Sequence, residues 1–462
     1  MINLIPRPCD RAMAVFLLCV AGIPAQDWPS YRGNNARSGV SKTNLALPLR
    51  QAWVHRAKGS PQPAWPGPAK ADLYNKLSVL QPRLAFDRAF HVSIGKGKLW
   101  FGSSADDQVH CLDARTGEEL WTFFAEAPIR FAPTYSGGRV FFGSDDGRAY
   151  CLRASNGEEV WRHTAAPQDM RVPGNGRVMS VWPVRTGVVV HDGKAYFCAG
   201  LFPAEASYLC ALRVASGIPV WKKSFSSIQP QGYMLASADH LYVPTGRGPP
   251  IVFSRKTGDK IRQLGGEGGT FALLAGDSLI YGPGKAGSIG EFAGTGQDHV
   301  ATFQGNQMVV TRDMAWLLTT RELSALRRTR YLELLGEKNG LAAQTKERNA
   351  ELKKQKGNRV KAAQIQRKIE EIGERLSEIS QELRACFVWR RACALSLELI
   401  VVGDHLVTGG DGEIAVFDAS SGKEVWRATV EGRAYGLAAA DGRLYVSTDL
   451  GRIHCFAAQE ER

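Results

Sequence analysis

The sequence lacks an apolar segment long enough to cross a bilayer as a helix. Its N-terminal apolar run covers only residues 12–22, whereas a spanning helix needs about 20 apolar residues. Arg7 and Arg11 precede the run, and small residues up to Ala25 follow it, which is typical of a secretory signal peptide. We predict a signal peptide over residues 1–25, no transmembrane segment after its cleavage, and an exported protein that is periplasmic or associated with the cell envelope.

Signatures of common catalytic centres are also missing. No two cysteines are adjacent, no pair of histidines has metal-ligand spacing, and no Gly-x-Ser-x-Gly motif occurs. These absences argue against a vicinal disulfide, a zinc site and a serine-hydrolase nucleophile. We therefore predict no catalytic residue, no metal and no cofactor.

Disulfides are not expected, although an exported chain would favour them. Four of the seven cysteines beyond residue 25 occupy the same position of a repeat: Cys111, Cys151, Cys210 and Cys455. Equivalent positions in neighbouring repeats should lie about 10 Å apart, too far for a disulfide. We predict buried free thiols that fill space.

A repeat dominates what the sequence does contain. Residues 111–121, 151–161 and 416–426 align without gaps, and each runs through a turn at Gly117, Gly157 or Gly422 to a closing tryptophan. Alternating apolar residues on both sides of such a turn predict a β-hairpin. A second hairpin precedes each one, as in residues 138–147, so each unit has four short strands.

Four-stranded repeats predict an all-β fold, an eight-bladed β-propeller. The last unit ends after its third strand, and residues 51–55 around Trp53 could supply its missing fourth strand. Such circular closure leaves no exposed sheet edge. The recurring tryptophans are predicted to pack between blades rather than to form a cofactor site: Trp53, Trp121, Trp161, Trp221, Trp389 and Trp426.

The repeat resembles the pyrroloquinoline-quinone-like (quinoprotein alcohol dehydrogenase-like) propeller family, whose consensus ends in Ala-x-Asp-x-x-Thr-Gly-x-x-x-Trp. Residues 27–33, Asp-Trp-Pro-Ser-Tyr-Arg-Gly, are similar to the N-terminal segment of exported bacterial members. In catalytic members, the resemblance implies adjacent disulfide-bonded cysteines, a tryptophan below the quinone, a calcium ion held by Glu, Asn and Asp, and a catalytic Asp. The blade number is also similar to that of the outer-membrane assembly propellers.

A helical insertion interrupts the repeat. Apolar residues at 369, 372, 376, 379 and 383 alternate steps of three and four, which indicates a coiled-coil seam. The preceding arm, 326–355, is weaker because it contains Gly336 and Gly340, and residues 356–358 form a plausible turn. We predict propeller segments over 26–322 and 387–458, with an antiparallel helical hairpin over 323–386. Its basic residues belong either to a solvated exterior or to an arm that docks a protein partner; nucleic acid is not expected.

One candidate ligand site remains. The unit ending at Trp221 is about twenty residues longer than its neighbours, and the extra length falls in connections on one face. Together with the next unit it contributes the candidate residues Arg177, Trp182, Arg185, Gln231, Tyr233 and Arg247. These could form a pocket for a small anionic ligand at the channel mouth. Alternatively, Arg177 and Arg185 hold long loops in place by binding carbonyl groups.

Two functions follow from the sequence. The first is a non-catalytic exported scaffold that binds a ligand or assembles proteins. The alternative is an oxidoreductase that uses pyrroloquinoline quinone (PQQ) with calcium in a non-standard cofactor site.

Overall fold

The computed structural model describes residues 27–66, 84–174, 176–202, 204–246, 248–269, 271–283, 288–293, 299–355 and 357–459. The predicted signal peptide and candidate residue Arg247 lie outside them. In the described part of the chain, no helix combines the length and the apolar character needed to cross a membrane.

Two strands precede the first complete sheet: β1 (Val40–Ser41) and β2 (Leu49–Arg56). The first four-stranded sheet contains β3 (Val92–Gly95), β4 (Lys98–Gly102), β5 (Gln108–Asp113) and β6 (Glu119–Phe124). The second contains β7 (Thr134–Ser136), β8 (Arg139–Gly143), β9 (Arg148–Arg153) and β10 (Glu159–Thr164). A separate two-stranded hairpin follows, formed by β11 (Arg171–Gly174) and β12 (Arg177–Ser180).

Three more four-stranded sheets come next. They are β13 (Val189–His191), β14 (Lys194–Ala199), β15 (Ser207–Arg213) and β16 (Pro219–Phe225); β17 (Leu235–Ala236), β18 (His240–Thr245), β19 (Gly248–Ser254) and β20 (Lys260–Gln263); and β21 (Phe271–Ala275), β22 (Ser278–Gly282), β23 (Ser288–Phe292) and β24 (His299–Gln304). Within each sheet, strands adjacent in sequence pair antiparallel, as the repeat predicts.

The sixth sheet contains the helical insertion. Strands β25 (Gln307–Val310), β26 (Met314–Leu318) and β27 (Glu322–Arg327) lead into α1 (Arg328–Lys354) and α2 (Arg359–Ala385), after which β28 (Phe387–Ala392) pairs antiparallel with β27. The first residues of the predicted segment 323–386 are thus strand. Both helices contain 27 residues and should extend about 40 Å.

The helices are joined to the sheets at their base. Leu334, Ile379 and Leu383 are buried in one cluster with Phe303 of β24. Gly336 and Gly340 lie inside α1, and a Cβ atom at either position would meet nothing within 4 Å. The glycines therefore do not end this helix. Each of them lowers its stability by about 1 kcal/mol relative to alanine.

The last strands form an eight-stranded sheet with both ends of the described chain. It contains β29 (Glu398–Val402), β30 (His405–Gly409), β31 (Asp411–Asp418), β32 (Glu424–Ala440), β33 (Arg443–Thr448) and β34 (Arg452–Ala458), together with β1 and β2. Strand β2 pairs antiparallel with β34, and the register places Trp53 opposite Cys455. The sheets together form a β-propeller with an inserted pair of helices.

Tryptophans join neighbouring sheets, as predicted. The Trp121 indole of β6 donates to the Ala154 carbonyl in the next sheet (3.3 Å) and lies against Gly157 of the same turn. The same contact recurs between Trp53 and Ala114, Trp161 and Val214, and Trp389 and Ala419. Trp426 donates instead to the Leu49 carbonyl of β2, and Trp221 lies against Gly258 without a hydrogen bond from its indole to the described residues. All seven described cysteines are buried free thiols.

Candidate functional site

The N-terminal segment, residues 28–39, runs through the middle of the propeller. It bonds to the first strand of six sheets, β3, β7, β13, β17, β21 and β29. Its backbone carbonyls accept from strand amides in Pro29–Tyr135, Asn35–Ala236, Ala36–Leu274 and Gly39–Val401, Trp28 and Ile94 bond to each other in both directions, and the Asn35 side-chain amide donates to the Val190 carbonyl. First strands line the central channel of a propeller. The segment that carries the Asp-Trp-Pro-Ser-Tyr-Arg-Gly motif therefore occupies this channel.

Two buried arginines fix the segment. Arg37 donates to the Met234 carbonyl through Nε (3.2 Å) and Nη2 (3.0 Å), and burial lowers its pKa to about 10. Arg32 forms an ion pair with Glu398 and donates to the Leu399 carbonyl (3.2 Å). Burial raises the pKa of Glu398, and the Arg32 charge only partly opposes this rise.

Arg185 belongs to a buried ion-pair network. Its Nε and Nη2 atoms each donate to one oxygen of Asp145 (2.8 Å). Asp145 also accepts from Arg130 Nε (2.6 Å), and Arg130 reaches Asp87 through Nη1 (3.0 Å). Burial raises the pKa of Asp145, but Arg185 and Arg130 outweigh it, so the net pKa lies below the ordinary value. The pKa of Asp87 is raised because burial outweighs Arg130 there.

The remaining candidates lie in three places. Arg177, in β12, pairs with Asp107 (2.7 Å) and donates to the Ala105 carbonyl (2.5 Å). Trp182 is buried and donates to the Ala206 carbonyl (2.9 Å). Gln231 accepts from the Trp65 indole (2.8 Å), and the buried Tyr233 hydroxyl accepts from the Ala132 amide (2.9 Å). The described candidates thus contact different partners, and none of them lines the cavity formed around Tyr31 and Arg88.

A cavity of about 190 Å³ lies at the end of the channel where the connections between neighbouring sheets emerge. Its lining residues come from the channel segment and the connections between sheets: Tyr31, Ala85, Phe86, Arg88, His91, Phe271, Pro283, Asn306, Gln307, Ser396, Leu397, Glu398 and Tyr435. Tyr31 also stacks on Tyr233, with ring centroids 3.6 Å apart. This ring stack connects the cavity to the predicted site.

Sequence reasoning missed this cavity. Arg88 lies over the Tyr435 ring, 5.5 Å from its centroid, and has no ion pair within the described chain. His91 packs edge-on against Tyr31 at 4.9 Å, and burial lowers its pKa to about 4. The only signal was the Asp27–Gly33 motif, which marks the channel segment but not the residues it meets.

The chemistry available at this mouth is limited. In the described ranges, no group of three or more His, Cys, Asp or Glu residues is arranged to hold a metal ion. The buried carboxylates Asp145, Asp87 and Glu398 all face arginines. The arrangement suits binding of a small molecule beside Arg88 better than proton transfer.

The comparisons with known proteins agree on the fold. The family model described as outer membrane protein assembly factor BamB matches residues 78–197 and 387–461. No curated protein matches the sequence. BamB from Moraxella catarrhalis is a similar solved structure, with 13% identity, a TM-score of 0.54, and coverage of 90% of this chain and 99% of that one.

Two other solved structures resemble the chain in fold. The quinohemoprotein alcohol dehydrogenase from Comamonas testosteroni has 12% identity and a TM-score of 0.61, covering 95% of this chain and 82% of that one. The computationally designed Ika8 protein has 11% identity and a TM-score of 0.54, covering 81% and 98% respectively. The partial match to the family model and the shared propeller fold both support a PQQ-like repeat β-propeller.

Proposed function

We propose that this protein is a non-catalytic, exported β-propeller that binds a ligand or assembles proteins at the cell envelope. The match to the assembly-factor family model supports this assignment. The main supporting observation is that residues 28–39 of the chain itself occupy the central channel. In addition, arginines pair with the buried carboxylates around this segment. A filled channel leaves little room for chemistry and provides a rigid scaffold.

We further propose eight blades with circular closure. Six four-stranded sheets account for six blades. The eight-stranded sheet counts as two, because the first half of β32 pairs with β31 and its second half pairs with β33. The second of these two blades takes its fourth strand, β2, from the N-terminal part of the chain.

The helical hairpin is the proposed arm for a protein partner, with the two helices acting as an antiparallel coiled coil. The buried residues of α2 are Ile365, Ile379 and Leu383, which lie on the predicted seam. Consecutive strands alternate in direction, so the connection from β27 to β28 leaves the sheet at the end opposite the cavity. Arm and cavity can therefore engage different molecules simultaneously.

A photo-crosslinking experiment tests the arm. A photoreactive amino acid replaces the exposed Ala343 in α1 or Ser377 in α2, both outside the far end of the hairpin, and a matched control carries it at the exposed Lys256 on the propeller. We expect discrete crosslinked products in envelope fractions from the arm positions only. Equal products from all three positions, or none from the arm, would refute the arm as a protein-docking element.

The alternative is a quinone-dependent oxidoreductase, a proposal that the structural likeness to the quinohemoprotein alcohol dehydrogenase supports only at the level of the fold. The residues present fit PQQ and calcium poorly. Glu398, the one acidic residue among those lining the cavity, is paired with Arg32. Arg88 is the one arginine or lysine in that lining, whereas PQQ carries three carboxylate groups. Mixing the purified protein with PQQ and calcium should give neither a bound chromophore nor dye-linked alcohol oxidation. Turnover would overturn the scaffold proposal.

For the channel mouth, we retain a small anionic ligand and place it beside Arg88. The guanidinium borders the cavity with Asn306, Ser396 and Tyr435, and arginine suits carboxylate or phosphate groups. Stabilisation against heating by a panel of small carboxylates and phosphates would identify the class. The stabilisation should disappear in Arg88→Gln and persist in a control variant, Arg115→Gln, on an exposed turn. Equal responses of both variants would exclude the site.

A further inference from the structure

Charge is distributed unevenly along the helical hairpin. Its distal half, here called the hairpin tip, comprises residues 346–355 and 357–368. In the tip, Glu347 and Glu351 are the acidic residues, against Lys346, Arg348, Lys353, Lys354, Arg359, Lys361, Arg367 and Lys368. The part of α2 nearer the propeller is acidic instead, with Glu370, Glu371, Glu374, Glu378 and Glu382 against Arg375 and Arg384. The positive charge of the insertion is therefore concentrated at its far end.

Ion pairs within the hairpin neutralise only part of the tip. Arg348 pairs with Glu351 (2.9 Å), and Arg367 pairs with Glu371 (3.4 Å). Near the propeller, by contrast, Arg375 alone pairs with Glu337, Glu378 and Glu382. No ion pair joins the tip lysines to acidic residues of the described chain, and Lys346, Lys353, Lys354 and Lys361 are exposed.

The start of α2 has a charge opposite to the one that stabilises a helix. Asn358 caps the helix by accepting from the Lys361 amide (3.1 Å), yet the first turn contains Arg359 and Lys361 and no acidic residue. The macrodipole disfavours positive charge at this end. Helix stability therefore does not explain these two residues, whereas attraction to an external anion does.

The composition of the tip favours an anionic lipid surface over a folded protein partner. Protein interfaces depend on aromatic and arginine anchors, but the tip contains no aromatic residue, and two of its three arginines already have glutamate partners. Its free charges are mostly lysines, which act as flexible point charges, and Val360 is 70% exposed among them. Clusters of four to eight basic residues with little apolar surface are typical of contacts with lipid headgroups.

We propose that the hairpin tip binds membranes rich in anionic phospholipid headgroups and so holds the propeller about 40 Å from the bilayer. The proposal depends on the proposed function only for the location at the cell envelope. Because the channel mouth opens at the end of the sheets opposite the hairpin, the cavity would face away from the lipid.

Vesicle sedimentation with the purified full chain tests the proposal. Vesicles of phosphatidylcholine with 30 mol% phosphatidylglycerol should bind the protein at about 0.1 M salt, while pure phosphatidylcholine vesicles should not. The quadruple variant Lys346→Gln, Lys353→Gln, Lys354→Gln and Lys361→Gln should reduce partitioning at least about tenfold, since each basic residue near an anionic surface contributes several-fold to binding. Higher salt should weaken binding of the wild type.

The control changes the same number of exposed lysines on the propeller: Lys42→Gln, Lys58→Gln, Lys256→Gln and Lys423→Gln. This variant should bind nearly as well as the wild type. Equal loss in both variants, or no binding of the wild type to anionic vesicles, would overturn the proposal. Tip-dependent binding of polyglutamate without vesicle binding would assign the tip to an acidic protein instead. These assays contain no partner protein, so their outcome is separate from that of the crosslinking experiment.

Discussion

Arginine side chains form the buried ion pairs around the channel. Arg185 and Arg130 share Asp145, and Arg32 pairs with Glu398, all of them buried. Removing one partner from such a pair leaves a charge without compensation in a medium that solvates it poorly. These residues therefore affect stability first, and ligand binding only through the shape of the mouth.

Replacing Arg185 should destabilise the fold. Arg185→Met leaves Asp145 with Arg130 alone, and we expect the free energy of unfolding to fall by about 3 kcal/mol. The control, Arg162→Met, breaks an exposed pair with Glu159 and should cost less than about 1 kcal/mol. Urea denaturation followed by tryptophan fluorescence measures both, and equal midpoints would contradict a structural role for Arg185.

His91 should make the stability depend on pH. Burial, together with the Arg32 charge, lowers its pKa from 6.5 to about 4 in the folded protein. Above pH 6.5 the imidazole is neutral in both states and has no effect. As the pH falls from 6.5 to 4, only the unfolded chain takes up the proton, so stability decreases by up to about 3 kcal/mol.

The variant His91→Phe isolates this contribution, because it keeps a ring against Tyr31 but cannot titrate. Its unfolding free energy should decrease less steeply than that of the wild type between pH 6.5 and 4. Denaturation curves at several pH values compare the two slopes. Parallel curves would show that folding does not lower the pKa of His91.

The sequence indicated some of the important residues but not the partners that they contact. Arg185 is a candidate residue, but Asp145 appears only within the hairpin of residues 138–147, because its arginine partners are 15 and 40 residues away. Arg88 and Glu398 went unnoticed because the channel segment assembles their surroundings from distant parts of the chain. The proposed site residues remain a prediction.

At the scale of elements, a glycine turn and a tryptophan form the joint between sheets. Gly157 adopts φ +76°, and a Cβ atom there would lie 2.6 Å from Trp121 Cε3. The repeat keeps glycine at this position for two reasons, the left-handed backbone and the close approach of the indole. The turn sequence and the closing tryptophan of neighbouring repeats are thus one structural unit.

A matched pair of glycine substitutions separates these two reasons. Gly193 has a similar φ of +68°, with nothing within 4 Å of its Cβ position. Gly193→Ala should cost about 1 kcal/mol for the backbone alone, and Gly157→Ala should cost a further 1–3 kcal/mol, roughly, for overpacking. Thermal unfolding compares the two variants. Equal costs would show that the tryptophan can move aside.

Elements with strong periodicity were predicted well. The long α2 helix follows from the seam residues, and Asn358, in the predicted turn, is its N-cap. The α1 helix was harder to predict because Gly336 and Gly340 weaken its pattern; packing of Leu334 against the propeller helps to keep its base helical. The short first strands, such as β17 with two residues, carry too little pattern to be recognised alone.

For the whole molecule, the pairing of β2 with β34 covers the edge of β34 and makes β2 the outer strand of that sheet. Backbone groups of residues 452–458 bond to residues 49–56, nearly 400 residues earlier in the chain. An unpaired edge at β34 would offer its backbone to other molecules. We therefore expect β2 to shield the β34 edge from self-association.

Two truncations test this protection. A variant beginning at Thr43 loses the channel segment but retains β2, whereas one beginning at Ser60 loses both. We expect the first to be less stable but monomeric, and the second to form oligomers. Size-exclusion chromatography with light scattering distinguishes them, and a monomeric second variant would show that the β34 edge is harmless.

The channel segment also determines when the protein can finish folding. The ribosome makes residues 28–39 early, yet Val401, which bonds to Gly39, emerges only after some 360 further residues. At typical synthesis rates this delay is roughly 20 to 70 s. During that time the segment has no complete binding site, and the unfinished chain stays accessible to proteases and chaperones. An interior assembled from segments some 360 residues apart can therefore close only after both have been made.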